Sequence, residues 1–139
     1  MHNITHYLDQ TFAINKKIDE LSEVAKDLRH RTASPVSGIA GGTGVQKTRN
    51  NHYMQDLVAR FIEAEHEIAE AKSKLLAIES RIHKISRTLP PSQRAVVILR
   101  YICQSTWAEI AQTVDVSEMQ ARRFHAAAID ALIKESFDY

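Results

Sequence analysis

A chain of 139 residues suits one modest domain, or a small domain carrying an elongated arm. Eighteen Lys and Arg against seventeen Asp and Glu leave a formal charge of +1, so no global cationic field draws in a polyanion. Hydrophobic residues at 44% and charged residues at 25% exclude general disorder, and the longest apolar run, Ala95 to Leu99, falls far short of the roughly 20 residues that cross a bilayer. One cysteine, Cys103, excludes an internal disulfide and a Cys-cluster zinc site. Met1-His2-Asn3-Ile4 has no basic flank leading into an apolar stretch, so no signal peptide is expected. A soluble protein of the cytoplasm, without membrane contact, is the expectation.

Breakers divide the chain. All four glycines (Gly38, Gly41, Gly42, Gly44) follow Pro35 within a short span, and the other two prolines are adjacent, Pro90-Pro91. Glycine opposes a helix by backbone entropy and proline by its missing N–H. Three stretches remain, 1–34, 45–89 and 92–139, none with the β-branched alternation of strands. The expected fold is all-α. Residues 1–89 form a helical hairpin or coiled coil with a Gly-rich loop at 32–50, and residues 90–139 form a separate module.

The first stretch spaces Ile4, Tyr7, Thr11, Ile14, Ile18, Leu21, Ala25 and Leu28 in steps of three and four. Thr11 and Ala25 dilute this seam. The Gly-rich connection lets the helix fold back antiparallel onto the next one. That loop carries Lys47-Thr48, which invites comparison with a phosphate-binding loop. The motif needs Gly-Lys-Ser/Thr contiguous between a strand and a helix, and here Gln46 precedes Lys47 between two helices. Arg29, Arg31, Lys47 and Arg49 meet no acid between Asp27 and Asp56, so the segment reads as a solvated loop or a basic arm that touches a nucleic-acid backbone.

The middle stretch has the clearest pattern. Met54, Leu57, Phe61, Ala64, Ile68, Ala71, Leu75, Ile78, Ile82, Ile85 and Leu89 keep the three-four step without a miss. This is a coiled-coil seam, and the helix that carries it would be about 54 Å long. It packs either within the chain or between two chains, so a homo-oligomer is expected. Glu70 and Lys74 stand at i,i+4 on its outer side.

After Pro90-Pro91 come short helices with explicit starts. Ser92 can cap a helix through Ala95 to Ile102. Thr106-Trp107-Ala108-Glu109 is a capping box opening a helix from Trp107 to Val114, and Ser117-Glu118-Met119-Gln120 is a second box opening the last helix. A short helix, a tight turn and a longer helix behind a supporting helix make a helix-turn-helix. Ala111 stands where the second helix crosses the first. Ile110, Val114, Val116, Ala121 and Phe124 point inward, and Ala128, Ala131 and Leu132 continue the apolar face. The turn position that usually holds glycine is Asp115, which tolerates a left-handed backbone.

The start of the second helix would enter the major groove. Thr106, Ser117, Glu118, Met119, Gln120, Arg122 and Arg123 are the candidate DNA-binding residues, Arg suiting guanine or phosphate and Glu accepting from cytosine. Arg87, Arg94 and Arg100 lie in a segment from Ser80 to Ala108 with five basic residues and no acid, and are candidate phosphate contacts. If the long helix dimerises, paired modules should prefer half-sites about one helical turn apart.

Chemistry-bearing alternatives find little. His66-Glu67 lacks the second His of a zinc-protease helix, and Glu63 with His66 is one Glu-x-x-His where a di-iron bundle needs two. Cys103 reads as a small core residue, and His125, beside Phe124, as a packing or phosphate-facing one. No catalytic, metal or cofactor residue is expected, and no enzyme.

The segment Leu89-Pro-Pro-Ser-Gln-Arg-Ala-Val-Val-Ile-Leu-Arg-Tyr, followed by Thr106-Trp-Ala-Glu-Ile-Ala, resembles region four of bacterial sigma factors. With Ser34-Pro35 and its glycines ahead of that module, nearly the whole chain is similar to phage-encoded late transcriptional regulators of the ArpU and RinA kind. The resemblance implies an activator of late phage genes in a bacterial host cell, binding double-stranded DNA and acting with host RNA polymerase. Ala121 stands where a larger aliphatic residue is common in such modules. Two other functions fit the same residues. One is a polymerase- or protein-binding adaptor that reads no bases. The other is a DNA-packaging protein of the small-terminase type.

Overall fold

The computed structural model describes residues 4–33 and 44–135, with side chains in the second segment described from residue 51 onward. Five helices and no strand account for them: α1 (Ile4–Ala33), α2 (Gly44–Ser86), α3 (Pro91–Tyr101), α4 (Trp107–Val114) and α5 (Glu118–Lys134). The expected all-α class holds. α2 starts inside the segment expected as loop at 32–50, because nothing after Gly44 breaks a helix. The Gly-rich stretch proper, 34–43, lies outside the described residues.

The seams locate the buried faces. From Met54 to Leu89, every residue of the α2 seam is buried or half-buried, as is every residue of the α1 seam from Ile4 to Leu28. Thr11 fits its apolar seam by donating its hydroxyl hydrogen to the Leu8 carbonyl at 2.8 Å, which satisfies it inside the core. Glu70 departs from expectation: its ion pair runs back to His66 at 3.0 Å, not forward to Lys74.

The chain divides into two compact units. One comprises the described residues between Lys16 and Ser73. Here α1 lays Leu21 and Ala25 against Phe61, Ala64 and Ile68 of α2. The facing alanines suit a close approach of the two helices.

The other unit joins α1 up to Asn15 with the described residues from Lys74 onward. Its main core gathers Ile4 and Leu8 of α1, Ile78, Ile82 and Ile85 of α2, Leu89 between α2 and α3, Val97 and Tyr101 of α3, and Ala128 and Leu132 of α5. Leu8 is fully buried although it lies off the three-four seam. A helix facing this mixed cluster needs a wider apolar stripe than a two-helix seam supplies. The start of α1 therefore belongs to the same core as the C-terminal helices.

The ends of α3 correct two expectations. Its cap is Pro90, with no side-chain bond, and Pro91 opens the helix where a missing N–H costs nothing. Ser92 thus lies within the first turn. At the other end, Ile102 and Cys103 both donate their N–H to the Ile98 carbonyl, and Gln104 turns left-handed at φ 59°. The helix stops before Cys103 can face the core, so the cysteine is exposed.

Candidate DNA-binding surface

α4 and α5 cross at their smallest residues. Ile110 and Ala111 of α4, Ala121 of α5 and Val96 of α3 form a buried cluster, covered by Leu99, Trp107, Val114, Val116 and Phe124. Ala121 has no exposed surface, so the site leaves no room for the larger aliphatic side chain common there. Between the helices Asp115 takes φ 57° and ψ 52°, the left-handed state that the sequence required of it. The Asp115 and Val116 N–H groups both donate to the Ala111 carbonyl and close the turn.

Capping fixes where both helices begin. At α4 the box is complete: the Glu109 N–H donates to Thr106 Oγ1 at 3.2 Å, and the Thr106 N–H donates to Glu109 Oε1 at 3.3 Å. At α5 it is half a box. The Gln120 N–H donates to Ser117 Oγ at 3.1 Å, and half-buried Gln120 returns no side-chain bond to the cap.

The candidate contact residues occupy distinct settings. Ser117, Glu118, Met119, Arg122 and Arg123 are exposed on the cap and first turns of α5, and Thr106 is exposed at the start of α4. Met119 is 64% exposed, a large cost for an apolar side chain left in water, and its sulfur accepts from Arg123 Nη2 at 3.5 Å. Arg87 is exposed after α2, and Arg94 is half-buried with its Nε unpartnered. Arg100 is half-buried and already engaged. Its guanidinium lies 4.9 Å from the Phe12 ring centre and 4.8 Å from that of Trp107, and Nη1 donates to the Ser105 carbonyl at 3.1 Å.

Trp107 and His125 were not among the site candidates, yet both line this surface. Arg122 places its guanidinium 4.9 Å from the Trp107 ring centre. His125 meets Trp107 edge-on and shares a 2.6 Å hydrogen bond with the Tyr101 hydroxyl. Burial, helped by the Arg100 charge and opposed by Asp9, lowers the His125 pKa. Burial first, then Asp9, pushes the Tyr101 phenol up to about 12 despite Arg100. Both groups are therefore neutral near pH 7.

No ion pair among the described residues lies on this surface. Among the described residues the ion pairs are Asp27 with Arg31 and His66 with Glu70, both in the Lys16–Ser73 unit. None engages Arg87, Arg94, Arg100, Arg122 or Arg123 with a carboxylate. No group of three or more His, Cys, Asp or Glu among the described residues could hold a metal ion. No described helix is long and apolar enough to cross a membrane.

Residues 87–134, about a third of the chain, match the family described as Sigma-70, region 4. No curated protein and no solved structure matches the chain. The matched segment runs from the end of α2 through α5, so the family match and the helix geometry select the same helices. A region-four helix-turn-helix points to a DNA-binding regulator, with RNA polymerase as the other kind of contact such a domain makes.

Proposed function

We propose that the protein is a sequence-specific DNA-binding transcriptional regulator, acting with RNA polymerase as an activator of late phage genes. One observation carries the reading: a region-four helix-turn-helix whose second helix begins with exposed Glu118, Met119, Arg122 and Arg123, its arginines free of carboxylate partners. Arg122 and Arg123 take phosphate or guanine, Glu118 accepts from cytosine, and Met119 packs on a thymine methyl group. Ser117 and Gln120 set the start of the reading helix, and Thr106 and Arg87 reach the backbone. Residues 90–139 do the reading; residues 1–89 join two copies, contact polymerase, or both. The phage assignment rests on the likeness of the whole chain to the ArpU and RinA kind.

The test is selection from sheared source-genome DNA at near-physiological salt. One or a few enriched sites support a regulator, and Arg122→Ala with Arg123→Ala should abolish their retention while leaving helicity intact. A second reading is favoured by charge: residues 90–139 hold five Lys and Arg against six Asp and Glu. A module so weakly charged suits an adaptor that binds polymerase and reads no bases. Uniform recovery of DNA, or none, together with capture of RNA polymerase, would select that reading.

A further inference from the structure

Arg122 does not stand alone on the reading helix. Its guanidinium lies over the indole of Trp107, the first residue of the other helix of the pair. The same indole carries a second cation, Arg100, which is fixed by the Ser105 carbonyl and by the Phe12 ring. A guanidinium that rests its flat face on a ring keeps its in-plane N–H groups directed outward. Those N–H groups are the ones that grip a phosphate or a guanine edge. No carboxylate competes for them among the described ion pairs. Arg100, held at the same ring, places a second positive charge beside it.

We propose that Trp107 is a positioning residue for DNA binding, holding Arg122 so that its donors meet the duplex already oriented. The inference rests on the DNA-binding reading and deepens it. Holding the side chain on the ring beforehand reduces the entropy that a long, free arginine would lose on contact. Arg123 has a different support, the Met119 sulfur on its own helix, and does not depend on the tryptophan.

The experiment is a double-mutant cycle on the full chain, with a duplex enriched from a random-sequence pool by the wild-type protein. Trp107→Leu is expected to weaken binding about three- to tenfold, the size of a cation–π contact converted to affinity. Trp107→Phe, which keeps an aromatic face, should stay within about twofold. In an Arg122→Ala background, Trp107→Leu should cost nothing further. An equal loss in both backgrounds would overturn the proposal, since it would mean that the tryptophan acts through the fold alone. If Trp107→Leu loses helicity, the emission of Trp107, the one tryptophan of the chain, decides instead. Saturating duplex should change that emission in the wild type and leave it unchanged in Arg122→Ala; equal changes overturn the proposal. A wild-type protein that retains no duplex overturns this inference and the DNA-binding reading together, whereas retention with additive losses overturns this inference alone.

Discussion

Replacing Ile110 with alanine tests the packing that aims the reading helix. Ile110 is fully buried where α3, α4 and α5 meet. The substitution removes three carbons, about 2.4 kcal/mol at about 0.8 kcal/mol each. Two of its buried neighbours, Ala111 and Ala121, have no side chain that could swing into the gap, so a cavity remains. Adding the cavity brings the cost to about 3–4 kcal/mol, within the range for buried Ile-to-Ala changes and a large part of a typical domain's stability of about 5–15 kcal/mol. Urea unfolding followed by Trp107 emission reads this, because Trp107 packs against the same cluster. Ile133, on α5 but 54% exposed, is the control, and Ile133→Ala should stay within about 0.5 kcal/mol. A loss below about 1 kcal/mol at Ile110, or an equal loss at Ile133, would refute the reasoning.

Thr106→Ala removes the hydroxyl that accepts from the Glu109 N–H and donates to Glu109 Oε1, and should cost about 1–2 kcal/mol in urea denaturation, more than Ser117→Ala, whose hydroxyl makes one such bond. Asp115→Gly relieves the left-handed turn and should leave the melting temperature unchanged or raised, whereas Asp115→Val should cost about 1–2 kcal/mol. His125 is held neutral by burial and Arg100, so the folded state binds fewer protons than the unfolded one. Its contribution is whole above the ordinary value of 6.5 and is lost as pH falls below it; His125→Gln should flatten the fall in urea midpoint between pH 7 and pH 5. Cys103, being exposed, should react with a thiol reagent in the native protein nearly as fast as in urea.

Periodicity made most of the fold legible. Every position that the three-four spacing named from Met54 to Leu89 is buried or half-buried, because a helix facing one partner has to repeat that way. The bounds of α4 were readable to the residue, since Thr106 and Asp115 each do something at a helix end that few side chains do. Cys103 was misread because the chain after Tyr101 looks apolar enough to continue a helix, and only the left-handed turn at Gln104 stops it. Ser92 was misread because proline can open a helix without any side-chain cap. The setting of Arg100 was out of reach. Its ring partners, Phe12 and Trp107, come from helices whose spacing in sequence carries no signal of their meeting. The same distance in sequence hid Trp107 as a support for Arg122.

The core shared by the start of α1 and the C-terminal helices bears on how the protein is made. Ile4 and Leu8 are buried with Val97, Tyr101, Ala128 and Leu132, residues synthesised long after them. At about 5–20 residues per second, the first turns of α1 wait roughly 6–25 s for that surface to emerge. Until then Ile4 and Leu8 can meet only the parts of that core already made, first the end of α2 and then α3. Contacts between such distant residues also slow folding once the chain is free. The core behind the reading helix is thus completed by residues made long before it, and a chain that stops short of α5 leaves Ile4 and Leu8 without Ala128 and Leu132.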